Sequence, residues 1–352
     1  MKTENICTQK NIHILGRSRP DGGALTLFWT ASGIEAEIRA SELWVEFVSD
    51  YEGGDPWISI ELNGALISRQ MVPKGTHKIC AFRNMSADTV KHVRILRETQ
   101  AMHNDTSSLL QITNLIHNGE FLPFPYRKYT LEFVGDSITA GEGIYGAQSE
   151  TDWITAFLSA SRNYAVLTAD AVDAEFSIVA QGGWGAYISW DGNTEHAVPK
   201  VYEQLCGIAN GERNVSLGAG EMYDFSKRSA DAVIVNLGTN DATGLALPDG
   251  SYEHVGVERF KKSVVDFLKT LRKHNKDAEI VWAYGMLGTP FLGFINEAVD
   301  TYKKSSGDER VFVFVLPQTE TETFGARSHP GRKVHKAAAE ALSGYLKWLL
   351  RM

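Results

Sequence analysis

The stretch Tyr129-Thr130-Leu131-Glu132-Phe133-Val134-Gly135-Asp136-Ser137-Ile138-Thr139-Ala140-Gly141-Glu142-Gly143 changes character at its middle. Its first six residues read as a buried strand, and those after Gly135 read as the opening of a helix. A serine at such a junction is presented to solvent beside main-chain N–H groups able to hold negative charge. Ser137 is therefore a candidate nucleophile.

Beyond this point apolar strands alternate with longer helical patterns, which predicts an α/β fold with a parallel sheet covered on both faces. Strands are expected at 129–134, 177–180, 232–237, 280–285 and 311–316, and helices at 153–172, 257–274 and 291–304. The last helix, from Pro330 onward, is expected to turn Val334, Ala337, Ala338, Ala341, Leu342, Tyr345 and Leu349 toward the sheet.

Before it the grammar differs. Residues 1 to 125 carry short β-type runs at 25–30, 43–48 and 57–64, several alternating apolar with polar, as in a β-sandwich. Asp21-Gly22-Gly23 and Asn63-Gly64 read as tight turns. The prolines of Phe121-Leu122-Pro123-Phe124-Pro125-Tyr126 mark a linker. Since 352 residues exceed what one core usually holds, the expectation is two domains, 1–125 and 126–352.

A hydrophobic content of 43% against 22% charged residues describes an ordinary globular protein. The net charge of -8 is spread, with no basic run, which disfavours nucleic acid and acidic membrane surfaces as partners. Cys7, Cys80 and Cys206 form no zinc-like or redox pair, so a reducing compartment fits. Met1 to Lys10 holds no apolar run of signal-peptide length, and the expected location is the cytoplasm.

In an open parallel sheet, residues just after the strands share one crevice. Ser137, the Gly182-Gly183-Trp184-Gly185 turn and Asn240 of Gly238-Thr239-Asn240-Asp241 all occupy such positions. His329, followed by Pro330 at a helix start, reaches the same edge. The roles follow from residue type. An imidazole titrates near neutrality and can take the Ser137 proton. The main-chain N–H groups of Ser137 and Gly183, with the Asn240 amide, are the expected donors of an oxyanion hole. Asp136 and Asp241 read as turn-holding side chains, and His335 as packing rather than a second base. Trp184 and Trp190, near Tyr187 and Asn193 in a glycine-rich stretch, are the candidate sugar-stacking residues.

These blocks resemble those of the SGNH hydrolases, in Gly135-Asp136-Ser137-Ile138-Thr139, the Gly183 turn, Gly238-Thr239-Asn240-Asp241 and His329-Pro330. With a β-sandwich in front, the chain more narrowly resembles the carbohydrate esterases of family two. That resemblance implies a jelly-roll-like sandwich joined to a three-layer α/β/α SGNH domain, and a serine esterase that removes acetyl groups from plant-wall saccharides such as acetylated xylan. No metal or organic cofactor is implied. The residues by themselves leave open a lipase, arylesterase, thioesterase or acyltransferase on the same apparatus, or a decayed esterase that only binds carbohydrate.

One position departs from the superfamily pattern. Three residues before the histidine, where an aspartate usually orients the ring, stands Ala326. A main-chain carbonyl, of Ala326 or Ser328, is expected in its place. A carboxylate such as Glu320 or Glu322 within bonding reach of His329 would overturn that expectation. No catalytic constellation is legible in the sandwich, whose candidate roles are cleft wall, sugar binding and self-association.

Overall fold

The computed structural model describes residues 1–352. Contacts divide the chain into two compact units. The first comprises Met1–Tyr126 with Ile154–Ala156 and Gln204–Met222, and the second Arg127–Trp153, Phe157–Glu203 and Tyr223–Met352. The division is thus not the linear 1–125 and 126–352, because two excursions from the later sequence join the first unit.

That unit is a sandwich of two antiparallel six-stranded sheets. Strand Leu43–Asp50 alternates buried with half-buried residues, the period that turns Leu43, Val45 and Phe47 into the core. Asn63 and Gly64, at φ 51° and 81°, form the two-residue turn between Trp57–Leu62 and Ala65–Met71. Phe121 and Leu122, expected in the linker, belong instead to the strand Glu120–Leu122, paired with Gly33–Arg39. The excursions are tied in by polar contacts. Trp29 Nε1 donates to the Leu205 carbonyl at 2.7 Å, and Thr155 Oγ1 donates to Asp55 at 2.8 Å.

The second unit holds a five-stranded, wholly parallel sheet. In spatial order the strands are Ala174–Ala180, Tyr129–Gly135, Ala232–Asn236, Glu279–Tyr284 and Val311–Val315. The three at the Ser137 end are almost continuously buried, as a sheet covered on both faces requires. The first strand in sequence lies between the second and third, so the chain departs to opposite sides there. Such a switch point opens a crevice at the carboxyl ends.

Helices His254–His274, Leu292–Ser306 and Arg332–Leu349 lie close to their expected ranges. The helix expected at 153–172 is shorter, Tyr164–Ala171, after a 3-10 turn at Thr155–Phe157. Asn163 caps its start by accepting from the Val166 N–H, and the residues before it serve tertiary contacts, such as Ser159 N–H to the Gly141 carbonyl. The C-terminal helix buries Val334, His335, Ala338, Ala339, Leu342, Ser343 and Leu346. Its inner face is therefore rotated from the expected stripe, leaving Ala337 exposed. No helix is long and apolar enough to cross a membrane.

Candidate active site

Ser137 is set by local chemistry. Strand Tyr129–Gly135 ends at Asp136, whose Oδ1 accepts from the Ile138 N–H at 3.0 Å and so caps the one-turn helix Ser137–Ala140. Gly141, in the left-handed region, closes that helix, and the Glu142 N–H then bonds the Ser137 carbonyl at 2.9 Å. The serine is thereby held in a tight strand-to-helix turn. No protein acceptor takes the main-chain N–H of Ser137 or of Gly183.

His329 is placed quite differently, by a strained loop. Arg327 and Ser328 both adopt left-handed backbone, at φ 56° and 55°, a conformation costing about 1–2 kcal/mol for each residue with a Cβ. Main-chain bonds to a distant segment hold them: Ala326 N–H to the Gly143 carbonyl at 3.0 Å, and Arg327 N–H to the Glu150 carbonyl at 2.8 Å. Gly143 must be glycine here, since at φ 81° an added Cβ would lie 2.8 Å from the His329 Cβ.

The loop turns the Arg327 carbonyl onto the imidazole. Nδ1 lies 2.8 Å from that oxygen and Nε2 lies 2.8 Å from Ser137 Oγ. A carbonyl can only accept, so Nδ1 carries the proton, and Nε2 is left with its lone pair toward the serine hydroxyl. A main-chain carbonyl therefore stands where an aspartate is usual, but it is that of Arg327, not of Ala326 or Ser328. The successive left-handed residues direct it there, while the Ala326 carbonyl accepts from the His329 N–H at 3.1 Å. Glu320 instead caps the turn Thr321–Thr323. The carboxylate facing His329 is one that sequence reasoning misses: Glu142, 5% exposed, stands 3.9 Å from Nδ1 and accepts from Arg327 Nε at 2.9 Å. Its only sequence signal is a charge between two glycines beside the serine turn.

The other blocks meet the same turn. Asn240 Nδ2 donates to the Trp184 carbonyl at 3.0 Å and to Asp136 Oδ2 at 3.2 Å, joining three loops. Both amide hydrogens are thus engaged, and the expected free donor is already shared. Asp241 accepts from the N–H groups of Ala186, Tyr187 and Ile188 at 2.8, 2.7 and 3.0 Å, the turn-holding role expected of it. Burial pushes the Asp241 carboxyl up to about 6. Burial, with the charges of Asp241 and Glu142, pushes Asp136 up to about 7.

The two candidate stacking residues separate. Trp184 is 7% exposed with its ring stacked on His196 at 4.9 Å, whereas Trp190 is 60% exposed. Gly183 lies between them at φ 80°, where a Cβ would come within 3.0 Å of the Trp190 ring. His335 is packed, as expected. Its Nδ1 accepts from the Tyr164 N–H at 3.0 Å, and burial followed by the charge of His329 lowers it to about 3.

A parallel α/β sheet whose first strand ends in this serine turn, with a histidine brought to it from the far end of the chain, defines a carboxylic ester hydrolase. The chain belongs to the GDSL-like lipase/acylhydrolase family, whose model matches residues 131–342. It is similar over both units to an acetyl xylan esterase from the rumen bacterium Butyrivibrio proteoclasticus. That similarity has 42% identity and a TM-score of 0.97, covering 99% of this chain and 98% of that one. An acetylxylan esterase / glucomannan deacetylase of Cellvibrio japonicus is 25% identical over 349 residues, 97% of this chain and 89% of the relative. A family two carbohydrate esterase from Clostridium thermocellum, solved with cellohexaose, shares the fold. Its TM-score is 0.83 at 24% identity, over 96% of this chain and 99% of that one.

Proposed function

We propose that this protein removes O-acetyl groups from plant-wall-derived saccharides, acetylated xylan or its oligosaccharides, through Ser137 and His329. The observation that carries the mechanism is the continuous line from the Arg327 carbonyl through the imidazole to Ser137 Oγ, with 2.8 Å at each end. The substrate class rests on the likeness to the acetyl xylan esterase of Butyrivibrio proteoclasticus at 42% identity.

His329 Nε2 takes the hydroxyl proton as Ser137 Oγ attacks the acetyl carbonyl carbon. The oxyanion so formed is met by the N–H groups of Ser137 and Gly183, which have no acceptor in the protein. Asn240 supplies the third donor by sharing hydrogens now directed at Asp136 and the Trp184 carbonyl. His329 then gives the proton to the sugar oxygen, which leaves as the free hydroxyl, and acetyl-Ser137 remains. Water attacks it with His329 again as base, releasing acetate. Trp190, with its exposed ring, is the better placed of the two tryptophans to stack on a sugar; Trp184 serves to hold the turn.

Acetate release from acetylated xylo-oligosaccharides by the purified chain, beside Ser137→Ala, tests this reading. Loss of turnover in a folded variant supports it, and unchanged turnover rejects it. A series of acyl chain lengths distinguishes an acetyl pocket from a lipase or thioesterase site, since a small pocket rejects long chains steeply. We further propose a cytoplasmic site of action on short imported oligosaccharides. Cell fractionation that recovers the native enzyme outside the cell rejects that location.

A further inference from the structure

Resting on the Ser137–His329 reading above, we propose that Glu142 and Arg327 form a positioning pair that does for His329 what the absent aspartate would do. The pair divides the two tasks of that aspartate. Arg327 supplies the acceptor for the Nδ1 proton through its carbonyl, and Glu142 supplies the formal negative charge.

The geometry ties these tasks together. The Arg327 carbonyl points at Nδ1 only while residues 327 and 328 stay left-handed, a conformation their side chains disfavour. Outside the main-chain bonds, the Arg327 side chain is what holds it: Nε bonds Glu142 Oε1 at 2.9 Å and Nη1 reaches the Thr151 carbonyl at 3.4 Å. Glu142 in turn sits on the serine's own turn, its N–H bonded to the Ser137 carbonyl. The ion pair therefore fixes the base relative to the nucleophile.

The same carboxylate faces Nδ1 at 3.9 Å with only 5% exposure, so little water screens it. A peptide carbonyl offers a partial charge to the imidazolium formed during attack, whereas Glu142 offers a full one. Arg327 keeps that buried carboxylate compensated. Two further ionisable groups feel these charges, Asp136 that of Glu142 and His335 that of His329, and the main chain of Glu150 accepts from the Arg327 N–H.

The test compares Glu142→Gln, Arg327→Gln and the double variant with wild type, Ser137→Ala serving as control. Acetate release gives kcat, KM and the pH profile of kcat/KM, and thermal melts report folding. Each single change is expected to lower kcat roughly 10- to 100-fold with KM within about twofold. The double variant should be little worse than either. The acidic limb of kcat/KM separates positioning from mere packing. Glu142→Gln removes the negative charge facing the imidazole and moves that limb to lower pH, while Arg327→Gln leaves the carboxylate uncompensated and moves it to higher pH.

Should Glu142→Gln fail to fold, Arg327→Gln carries the test, because that side chain is one-third exposed. Singles that keep kcat within about threefold, or limbs that stay put or move in the same direction, overturn the pair. A Ser137→Ala variant that still releases acetate overturns the underlying reading instead.

Discussion

Two short segments meet at the site and are built on opposite principles. The serine turn uses favoured local conformations: a strand end, an Asp cap, one helical turn and a left-handed glycine. The histidine loop uses disfavoured ones, two successive left-handed residues with side chains, restrained by bonds to Gly143, Glu150 and Glu142. Ser137 is presented by local rules, whereas turning the His329 imidazole onto it takes a loop of disfavoured dihedral angles held from outside. Strain of this kind persists only where the surroundings over-determine it.

The largest effect expected is loss of both partners' function by single changes. On the proposed mechanism the two act as one unit, so Ser137→Ala or His329→Ala should lower kcat by at least about 10⁴-fold, and the double variant no further. Additive losses would show that the segments work independently. Next, Asn240→Ala should cost roughly 100-fold in kcat, the low end for the oxyanion donor proposed, because its hydrogens are already shared. A loss confined to KM would instead make Asn240 a binding residue.

The strain itself can be probed at Ser328. Ser328→Gly should leave melting temperature and kcat near wild type, whereas Ser328→Val, β-branched at φ 55°, should lower kcat several-fold, about what 1–2 kcal/mol of backbone strain converts to. Equal behaviour of the two variants would remove the left-handed backbone from the account.

The smallest effect concerns the serine turn. A carbon-13 titration of the Asp136 carboxyl should show a midpoint near 7, above the ordinary value of 3.8, because the group is buried. With its folded value raised, Asp136 contributes stability that is complete at low pH and is lost as pH rises from about 4 through 7. A midpoint below about 5 would mean that the cap bond and Asn240 outweigh burial.

How far the chain could be read follows the same contrast. The positions of Ser137 and Asn240 just after their strands were legible because apolar runs and turn residues act over a few positions. The parallel sheet followed from the alternation of such runs with helical patterns. The full helix expected at 153–172 does not form, because residues before Asn163 are taken up by contacts with distant chain. The carbonyl beneath His329 is narrowed by sequence to its neighbours yet missed by one residue, since Ala326, Arg327 and Ser328 are equivalent acceptors until the loop's dihedral angles are known. Glu142 escapes notice in the sequence, because a lone glutamate beside the serine has no meaning until Arg327 arrives from 185 residues away.

From the residues in order follow the sheet, the position of the serine and the kinds of group that gather around it, because each depends on short-range periodicity and on chemical type. Only the folded chain decided which carbonyl orients the imidazole, which carboxylate faces it and which tryptophan stays exposed. Those choices rest on left-handed dihedrals, an ion pair and ring packing that exist only once distant segments are in contact.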